Sequence, residues 1–264
     1  MKSILITGAS GGMGSAAVKL FVEEGYRVFA LDIKECEPSD GVIFVKADLT
    51  SEESVINAYE NVRSYTDSLE GIIHFAGVYM LDSLVEMDTS DYRRIFDINL
   101  HGVYLINKIF LPLLSSKAGI IITTSELAVL DPLPFTGIYA VTKAALDKYA
   151  YSLRMELQLL GIRVSVIRAG AVKTDMLEVS TDSLCRFTEK TELYSCNAKR
   201  FQSIVNRVEA RSIPSSLIAK KALYVFKRKN PRFAYAINRN PLLLLMNALP
   251  DRLAFFVIRR ILRK

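Results

Sequence analysis

The sequence predicts an α/β fold: a doubly wound parallel sheet with helices on both faces and a C-terminal helical extension. Short apolar runs typical of strands alternate with longer helical patterns as far as about residue 237. Continuous apolar runs such as 119–124 indicate strands that are buried on both faces. No repeat or Pro/Gly-rich linker divides the chain, and 264 residues suffice for one α/β domain with a full core.

The predicted elements alternate as right-handed βαβ units require. The predicted strands lie at 3–7, 27–32, 42–47, 71–76, 119–124, 162–168 and 233–237. The predicted helices lie at 13–24, 51–66, 89–114, 137–160, 197–209 and 215–229. We expect one Rossmann-type catalytic domain over 1–240 and a basic, apolar tail over 241–264.

The net charge of +6 is unevenly distributed. Residues 220–264 contain twelve lysines and arginines and one acid, Asp251, whereas residues 1–219 contain 22 bases and 27 acids. An acidic body argues against a nucleic-acid groove, so no nucleic-acid partner is expected. The three cysteines lack disulfide or metal spacing, and the apolar run at 242–246 is too short to cross a membrane. We expect a cytoplasmic protein with reduced cysteines and no metal site.

A glycine-rich segment, 7–14, joins the first predicted strand to the first predicted helix. Its glycines permit a tight turn and the close approach of a pyrophosphate, and the helix N-terminus offers free N–H groups. The candidate cofactor-binding residues in this segment are Gly8, Ser10, Gly12, Met13 and Gly14.

Asp32 ends the second predicted strand, where a carboxylate can accept hydrogen bonds from both adenosine ribose hydroxyls and would repel a 2′-phosphate. Ile33 rather than a base follows it, and Lys34 is the nearby cation. We therefore expect NAD in preference to NADP. Asp48 and Leu49, at the end of the third predicted strand, are placed to contact the adenine ring, although Asp48 is equally suited to cap the next helix.

Tyr139 and Lys143 stand four residues apart in a long helical pattern, so they project from one helix face. A free phenol is a poor base at neutral pH because its pKa is about 10, and a neighbouring ammonium group with a cationic nicotinamide would favour the phenolate. Tyr139 could then exchange a proton with an alcohol or ketone. Ser125 follows the fifth predicted strand, at the sheet edge where ligands bind, and can hold the reacting oxygen; Thr124 is the competing hydroxyl.

Asn99 falls inside the helical pattern at 89–114, although asparagine disfavours helix interiors. We expect it to distort the helix and to carry a water relay towards Lys143. An ordinary helix asparagine is the alternative.

Taken in chain order, these residues resemble the short-chain dehydrogenase/reductase family over 1–240. The matching residues are Thr7-Gly8-x-x-x-Gly12-x-Gly14, Asp32, Asp48-Leu49, Ala76-Gly77, Asn99, Ser125, Tyr139-x-x-x-Lys143 and Gly170-x-Val172-x-Thr174. The resemblance implies that Tyr139 is the general acid/base, Ser125 the binder of the substrate oxygen, and Lys143 the binder of the nicotinamide ribose. It also implies Asn99 as the relay, and a homodimer or homotetramer formed through the long helices.

The same resemblance implies cofactor contacts from Ala76, Gly77 and Gly170, with Val172 and Thr174 holding the nicotinamide carboxamide. Three departures from the family pattern stand beside it. His74 occupies a usual asparagine position and is expected to be a strand residue rather than a catalyst. Ala169 replaces a usual proline, and the loop 126–138 is about one residue longer than is common.

The segment at about 175–215 lies where this family has its substrate lid. Its apolar side chains, with two from the preceding loop, are Met176, Leu177, Val179, Leu184, Phe187, Leu193, Tyr194, Phe201, Leu133 and Phe135. They suit a bulky lipophilic alcohol or ketone such as a steroid, bile acid, retinoid or long-chain lipid, and packing of the lid itself is an equal alternative. Glu126, beside Ser125, is a weaker candidate for contact with a polar substrate group.

The tail at 241–264 contains a basic amphipathic pattern. Arg252, Arg259, Arg260 and Arg263 project to one side, most apolar residues face away, and Phe256 lies among the arginines. Such a helix either makes peripheral contact with an anionic membrane surface or docks on its own subunit or a partner.

The leading hypothesis is hydride transfer between NAD(H) and a lipophilic secondary alcohol or ketone. One alternative is an NADPH-dependent ketone or 3-ketoacyl reductase. The alternative from another class is a non-catalytic dinucleotide-binding sensor or scaffold.

Overall fold

A parallel sheet forms the centre of the protein. The computed structural model describes residues 1–209 and 212–263, with the backbone alone described at 175–182 and 206–209. The strands are, in chain order, β1 (Ser3–Thr7), β2 (Arg27–Asp32), β3 (Val42–Lys46), β4 (Leu69–His74), β5 (Leu114–Ser125), β6 (Arg163–Ala169), β7 (Val172–Lys173), β8 (Ile213–Pro214) and β9 (Ala234–Ile237).

Seven of these strands pair in the order β3-β2-β1-β4-β5-β6-β9, and every neighbouring pair is parallel. The order reverses beside β1, which is the doubly wound topology that the sequence predicted. A separate ribbon pairs β7 with β8.

Helices cover both faces of the sheet. They are α1 (Gly12–Glu23), α2 (Glu52–Arg63), α3 (Thr89–Phe96), α4 (Gly102–Phe110), α5 (Gly137–Leu157), α6 (Asp175–Lys190), α7 (Ser195–Glu209), α8 (Ser215–Lys227), α9 (Pro241–Asn247) and α10 (Asp251–Leu262). Helices α1 and α8 bury Phe21 and Phe226 against one face, whereas α2, α4 and α5 bury Val55, Leu105 and Leu146 against the other. Because apolar side chains cover both faces, the strands read as continuous apolar runs.

The helix predicted over 89–114 is wrong as a single element. A π-helical turn at Asp97–His101 separates α3 from α4, and Asn99 lies in that turn. After α4, a short 3₁₀ turn containing Pro112 ends the helical stretch, and β5 begins at Leu114. Helix α6 and the short strands β7 and β8 were not predicted. The expected distortion at Asn99 is confirmed.

The C-terminal helices α9 and α10 pack back onto the body of the same chain. They bury Leu243 and Leu262, and the Asn247 side chain accepts a hydrogen bond from the Asp131 N–H at 2.6 Å. Asn197 of α7 donates to the Leu262 carbonyl at 2.7 Å. Of the two positions proposed for the tail, docking on its own subunit is therefore present. Among the described residues, no helix has the length and apolarity needed to traverse a lipid bilayer.

Candidate active site

The glycine-rich segment packs tightly against two neighbouring segments. Gly8 has a left-handed backbone (φ +69°), and a Cβ there would lie 2.4 Å from the Ala76 nitrogen. A Cβ on Gly14 would lie 2.0 Å from the Gly8 carbonyl oxygen, and one on Gly12 would lie 2.8 Å from Thr174 Cγ2. These glycines therefore let the loop approach β4 and the segment before α6.

The N-terminus of α1 is open to an anion. Its N-cap residue Gly11 makes no side-chain capping bond, and the first turn contains no acidic residue. The uncapped N–H groups and the positive end of the helix dipole favour a phosphate group here. Met13 in this turn also lines the cavity beside Tyr139 that is described below.

Asp32 is held at the end of β2 by backbone hydrogen bonds. Its carboxylate accepts the Ser10 N–H at 3.0 Å and the Lys34 N–H at 3.1 Å. Ile33 is exposed beside it. The carboxylate therefore lies next to the glycine-rich segment, where the sequence placed it.

Asp48 and Leu49 have structural tasks. Asp48 accepts two hydrogen bonds from Thr50, one from its N–H at 2.9 Å and one from its hydroxyl at 2.7 Å. Ser51, not Asp48, is the N-cap of α2. Leu49 is buried, and a Cβ on Gly102 of α4 would lie 2.8 Å from its Cβ. The helix-capping role that the sequence allowed for Asp48 is therefore wrong, because Ser51 caps α2. Contact of Asp48 and Leu49 with an adenine ring stays a prediction.

Ser125, Tyr139 and Lys143 come together at the carboxyl end of β5. Ser125 and Tyr139 line the same cavity, and the Ser125 hydroxyl accepts the Leu127 N–H at 3.2 Å. Lys143 lies one turn along α5, with its Nζ 5.7 Å from the centre of the Tyr139 ring. All three side chains are buried. A phenol, a hydroxyl and an amine are thus grouped at one edge of the sheet.

The competing hydroxyl, Thr124, is engaged elsewhere. It donates to the Asp147 carboxylate at 3.2 Å, and that carboxylate accepts two bonds from Arg168, at 3.0 and 2.7 Å. The paired carboxylate holds the Thr124 hydroxyl away from Tyr139. This arrangement favours Ser125 as the group that meets a substrate oxygen.

Burial dominates the electrostatics of the trio. It raises the pKa of Tyr139 to about 12, with the nearby Ser125 hydroxyl acting in the opposite direction. Burial also lowers the pKa of Lys143 to about 8. We expected the Lys143 ammonium to favour the phenolate, but among the protein's own groups burial has the larger effect. Tyr139 therefore keeps its proton at neutral pH.

The Asn99 side chain is held by hydrogen bonds at both its amide oxygen and its amide nitrogen. Its Oδ1 accepts the Val78 N–H at 2.8 Å, and its Nδ2 donates to the Val78 carbonyl at 3.0 Å and to the Thr142 hydroxyl at 3.1 Å. A Cβ on Gly77 would lie 3.2 Å from Asn99 Oδ1 and 3.3 Å from Lys143 Nζ. Asn99 and Lys143 therefore flank Gly77, although the role of Asn99 in a water relay stays a prediction.

The segment after β6 forms the opposite side of the site. A Cβ on Gly170 would lie 1.8 Å from the Asn238 carbonyl oxygen, so the close approach of the chain after β9 requires glycine there. Val172 and Thr174 line the cavity beside Tyr139, and Thr174 is the N-cap of α6. The site residues expected in this segment thus face Met13 and Lys143 across one cavity.

His74 is a buried strand residue, as the sequence predicted. Its Nδ1 lies 3.5 Å from the Thr7 hydroxyl, and its Nε2 lies 3.1 Å from Asn107 Oδ1. Burial lowers the pKa of His74 to about 4, which keeps the ring neutral at physiological pH. Asn107 extends the network by donating to the Tyr149 hydroxyl at 3.2 Å. His74 thus links β1, β4 and α4.

A cavity of about 310 Å³ joins the nucleotide and chemical ends of the site. Met13, Gly77, Val172 and Thr174 line one part of it. Ser125, Tyr139 and Lys143 line another. Its remaining walls are largely apolar, which favours a lipophilic ligand.

Most of the predicted lid residues pack against each other. Leu184, Phe187 and Phe201 are buried in one cluster with Phe135, and the rings of Phe135 and Phe187 lie 4.6 Å apart. Of the predicted residues whose side chains are described, Leu133 and Phe201 line the cavity, whereas Leu193 is exposed. The side chains of Met176, Leu177 and Val179 lie outside the described residues.

The sequence did not predict that the tail forms a wall of the cavity. The lining residues contributed by α9 and α10 are Leu242, Leu243, Met246, Ile258, Ile261 and Leu262. The apolar periodicity of the tail was visible in the sequence, but periodicity does not say which surface the apolar side covers.

Glu126 connects this wall to the catalytic edge. Its carboxylate accepts the Asn240 N–H at 2.7 Å, directly before α9. Burial raises the pKa of Glu126, and the Asn240 hydrogen bond and the charge of Arg239 oppose that effect. Glu126 also lines the cavity, beside Ser125.

Comparison with known families agrees with this geometry. A family model described as short chain dehydrogenase matches residues 2–184. The chain belongs to the short-chain dehydrogenase family. It is therefore an oxidoreductase of alcohol or ketone groups that uses a nicotinamide dinucleotide, in a family whose members act on small molecules and are typically oligomeric.

Similar proteins come from fungi and bacteria. An NADPH-dependent 1-acyldihydroxyacetone phosphate reductase of Schizosaccharomyces pombe is 35% identical over 180 residues, 66% of this chain and 60% of that protein. Short-chain dehydrogenase srdE of Neurospora crassa is 30% identical over 236 residues, 87% of this chain and 80% of that protein. The crystal structure of a Francisella tularensis short chain dehydrogenase family protein matches with a TM-score of 0.76, at 22% identity, over 90% of this chain and 97% of that one.

The described residues fit a nicotinamide dinucleotide. The uncapped start of α1 suits the pyrophosphate, Asp32 suits a ribose, and Lys143 suits the second ribose. Thr123 Oγ1, at the cavity, is buried without a hydrogen-bond partner among the described residues. When bound, the dinucleotide supplies the hydride acceptor or donor.

Proposed function

We propose that this protein transfers a hydride between NAD(H) and a lipophilic secondary alcohol or ketone. The observation that carries the proposal is that the buried side chains of Ser125, Tyr139 and Lys143 line one apolar cavity. That cavity also reaches Met13 and Thr174 near the glycine-rich segment. A proton-transfer group and a dinucleotide site thus share one apolar chamber.

In this proposal the chain's own residues handle the proton and the oxygen. Tyr139, with its raised pKa, holds the proton that a ketone oxygen receives, and in the reverse direction takes the proton from an alcohol. Ser125 donates a hydrogen bond to the same oxygen and fixes its position. Lys143, one helical turn away, provides the positive charge that stabilises a developing phenolate. Asn99 holds the segment at Val78 that passes beside Lys143.

The charges around Asp32 support NAD as the cofactor. Glu35 and Glu37 follow Asp32 and line a cleft together with Ser10. Lys19 contributes a positive charge to the same cleft. A 2′-phosphate at this end of the site would meet several carboxylates, whereas ribose hydroxyls would meet hydrogen-bond acceptors. The proposed adenosine contacts are therefore Asp32, with Ile33, Asp48 and Leu49 nearby.

A second candidate is an NADPH-dependent ketone reductase. The S. pombe relative bears that cofactor in its name, and Lys34 is adjacent to the carboxylate of Asp32. Lysine can pair with a 2′-phosphate. The name of that relative describes a dihydroxyacetone phosphate that bears an acyl group, which supports an acyl-bearing ketone as substrate for this chain.

The proposed organisation keeps the division made from the sequence. Residues 1–240 would form the catalytic unit with its lid at about 175–215, and 241–264 would form an appended segment. We propose a homodimer or homotetramer through the long helices, because α4 and α5 expose the large side chains of Tyr104, Tyr151 and Met155. Exposed large side chains on these helices favour association.

The proposal is tested with the purified chain, NAD or NADP, and a set of steroid, retinoid and long-chain secondary alcohols. The absorbance of the reduced cofactor reports turnover. We expect NAD-linked oxidation of lipophilic alcohols and weak activity with short ones. Binding of NAD without turnover of any alcohol or ketone would favour the non-catalytic sensor, and a preference for NADP would favour the second candidate.

A further inference from the structure

Helix α10 presents two different surfaces. Its inward side contacts α7 and lines the cavity through Ile258 and Leu262. Its outward side exposes Phe255 (69% exposed), Phe256 (63%) and Leu253 (45%). Docking on the body therefore covers one side of the helix and leaves large apolar side chains exposed on the other.

The arginines share this outward side. Arg252, Arg259 and Arg260 are exposed, and at 100° per residue they alternate with the two phenylalanines around the helix. Within the part of the chain that the structure describes, no ion pair involves an α10 arginine. Asp251 is the sole acid between 220 and 264 in the sequence. The surface is thus both apolar and positively charged.

The positive surface continues onto α7. Arg200 donates from Nη1 to the Arg263 carbonyl at 2.8 Å, and both residues are exposed, as is Lys199. On α9, Leu245 is 61% exposed. The Arg200 side chain therefore lies at the C-terminal end of α10, and α9 adds one exposed apolar side chain.

We propose that the outward face of α10 binds the surface of an anionic lipid bilayer. Exposed phenylalanines between arginines match a helix that lies in the bilayer interface, where rings enter the acyl boundary and arginines meet phosphate headgroups. A second copy is a poor occupant, because a two-fold contact would set the three exposed arginines of α10 against their copies, with Asp251 as the one acid of the helix. Charge complementarity therefore selects an anionic lipid surface.

The position of α10 also suggests how substrate enters the cavity, an inference that rests on the proposed function. The inward face of the same helix lines the cavity through Ile258 and Leu262. A bilayer on the outward face would lie one helix diameter, about 10 Å, from the cavity wall. Lipophilic substrate dissolved in the bilayer could then enter the cavity beside α10 without crossing water.

The test is co-sedimentation of the full chain with vesicles, without cofactor or substrate, so its outcome does not depend on turnover. Vesicles of phosphatidylcholine with phosphatidylserine are compared with vesicles of phosphatidylcholine alone. Each arginine near an anionic surface strengthens binding about fivefold, so the R252Q/R259Q/R260Q variant should bind the anionic vesicles about 100-fold more weakly. The F255S/F256S variant should lose about tenfold or more per ring.

The matched control removes the same charge elsewhere. Arg93, Arg94 and Lys229 are exposed and lie outside α10, so R93Q/R94Q/K229Q should bind like the natural chain. Circular dichroism melts confirm that each variant is folded. The proposal is overturned if the natural chain does not sediment with anionic vesicles, or if the control loses as much binding as the α10 variant. It is also overturned if the α10 variants change the oligomeric state but not vesicle binding.

Discussion

The catalytic edge of the sheet and the C-terminal wall of the cavity contain different types of side chain. At the catalytic edge, Ser125, Tyr139 and Lys143 are buried polar groups at the end of β5 and the start of α5. In the wall, α9 and α10 contribute apolar side chains such as Met246 and Ile258, with no acid or base at the cavity among the described residues. In the proposed function, the edge performs the chemistry and the wall selects the substrate.

The largest expected effect is at the edge. Tyr139→Phe removes the proton donor and acceptor while keeping the ring, so kcat should fall by about 10²–10⁴-fold with every substrate. Binding of NAD, measured by calorimetry, should change little, because the nucleotide loop is untouched. Retention of full turnover would show that Tyr139 does not transfer the proton. The polar edge would then not perform the chemistry assigned to it.

A smaller effect is expected at the nucleotide end. Asp32→Asn removes the negative charge that favours ribose hydroxyls over a 2′-phosphate, so the ratio of kcat/KM for NAD to that for NADP should fall by about tenfold or more. The measurement is the pair of kcat/KM values at saturating alcohol. If the ratio rises or stays constant, Asp32 does not select the cofactor.

A change in the wall should alter substrate binding alone. Met246→Ala with Ile258→Ala removes several methylene groups from the cavity, and the KM for a bulky alcohol should rise about tenfold while kcat stays the same. The matched control is Leu245→Ala, since Leu245 lies on the same helix α9 but is exposed. Equal effects of the two variants would show that the tail acts through its fold rather than through its cavity face.

The smallest effect on turnover is expected at His74, the last residue of β4. Its folded pKa of about 4 lies below the ordinary 6.5, so the unfolded chain takes up a proton first as the pH falls. His74 should therefore cost stability progressively between pH 6.5 and 4, by about 3 kcal/mol. In His74→Asn, thermal melts should lose part of their pH dependence in this window.

His101 provides the control for that measurement, because it is exposed and is the other histidine of the chain. His101→Asn makes the same substitution at the exposed histidine, and its melts are recorded over the same pH range. An unchanged acid dependence in His74→Asn would assign the acid sensitivity to other groups.

The two regions also differ in how well the sequence predicts them. The predicted bounds of β1 and β2 match the structure, because buried parallel strands are continuous apolar runs that glycine-rich or polar segments end. The grouping of Ser125 with Tyr139 was also predictable, since strand ends and helix starts meet at one edge of a parallel sheet. The π-turn around Asn99 was anticipated as a distortion, although its side-chain bonds to Val78 join segments 21 residues apart.

The C-terminal wall was not predictable in the same way. The pattern of α10 distinguishes a basic side from an apolar side, but it does not say that Ile258 and Leu262 face the cavity. Nor does it separate Phe255 and Phe256, which are exposed, from the apolar residues that dock. That choice depends on long-range contacts such as the Asn197 bond to the Leu262 carbonyl, which local periodicity does not contain.

The most direct test of this division between edge and wall is a ratio. The quantity is kcat/KM for a bulky secondary alcohol divided by kcat/KM for a small one, measured for the natural chain, for Ser125→Ala and for Met246→Ala with Ile258→Ala. We predict that Ser125→Ala lowers both kcat/KM values and leaves their ratio unchanged. Met246→Ala with Ile258→Ala should lower the ratio about tenfold. A ratio that moves in Ser125→Ala and stays constant in the wall variant would contradict the account.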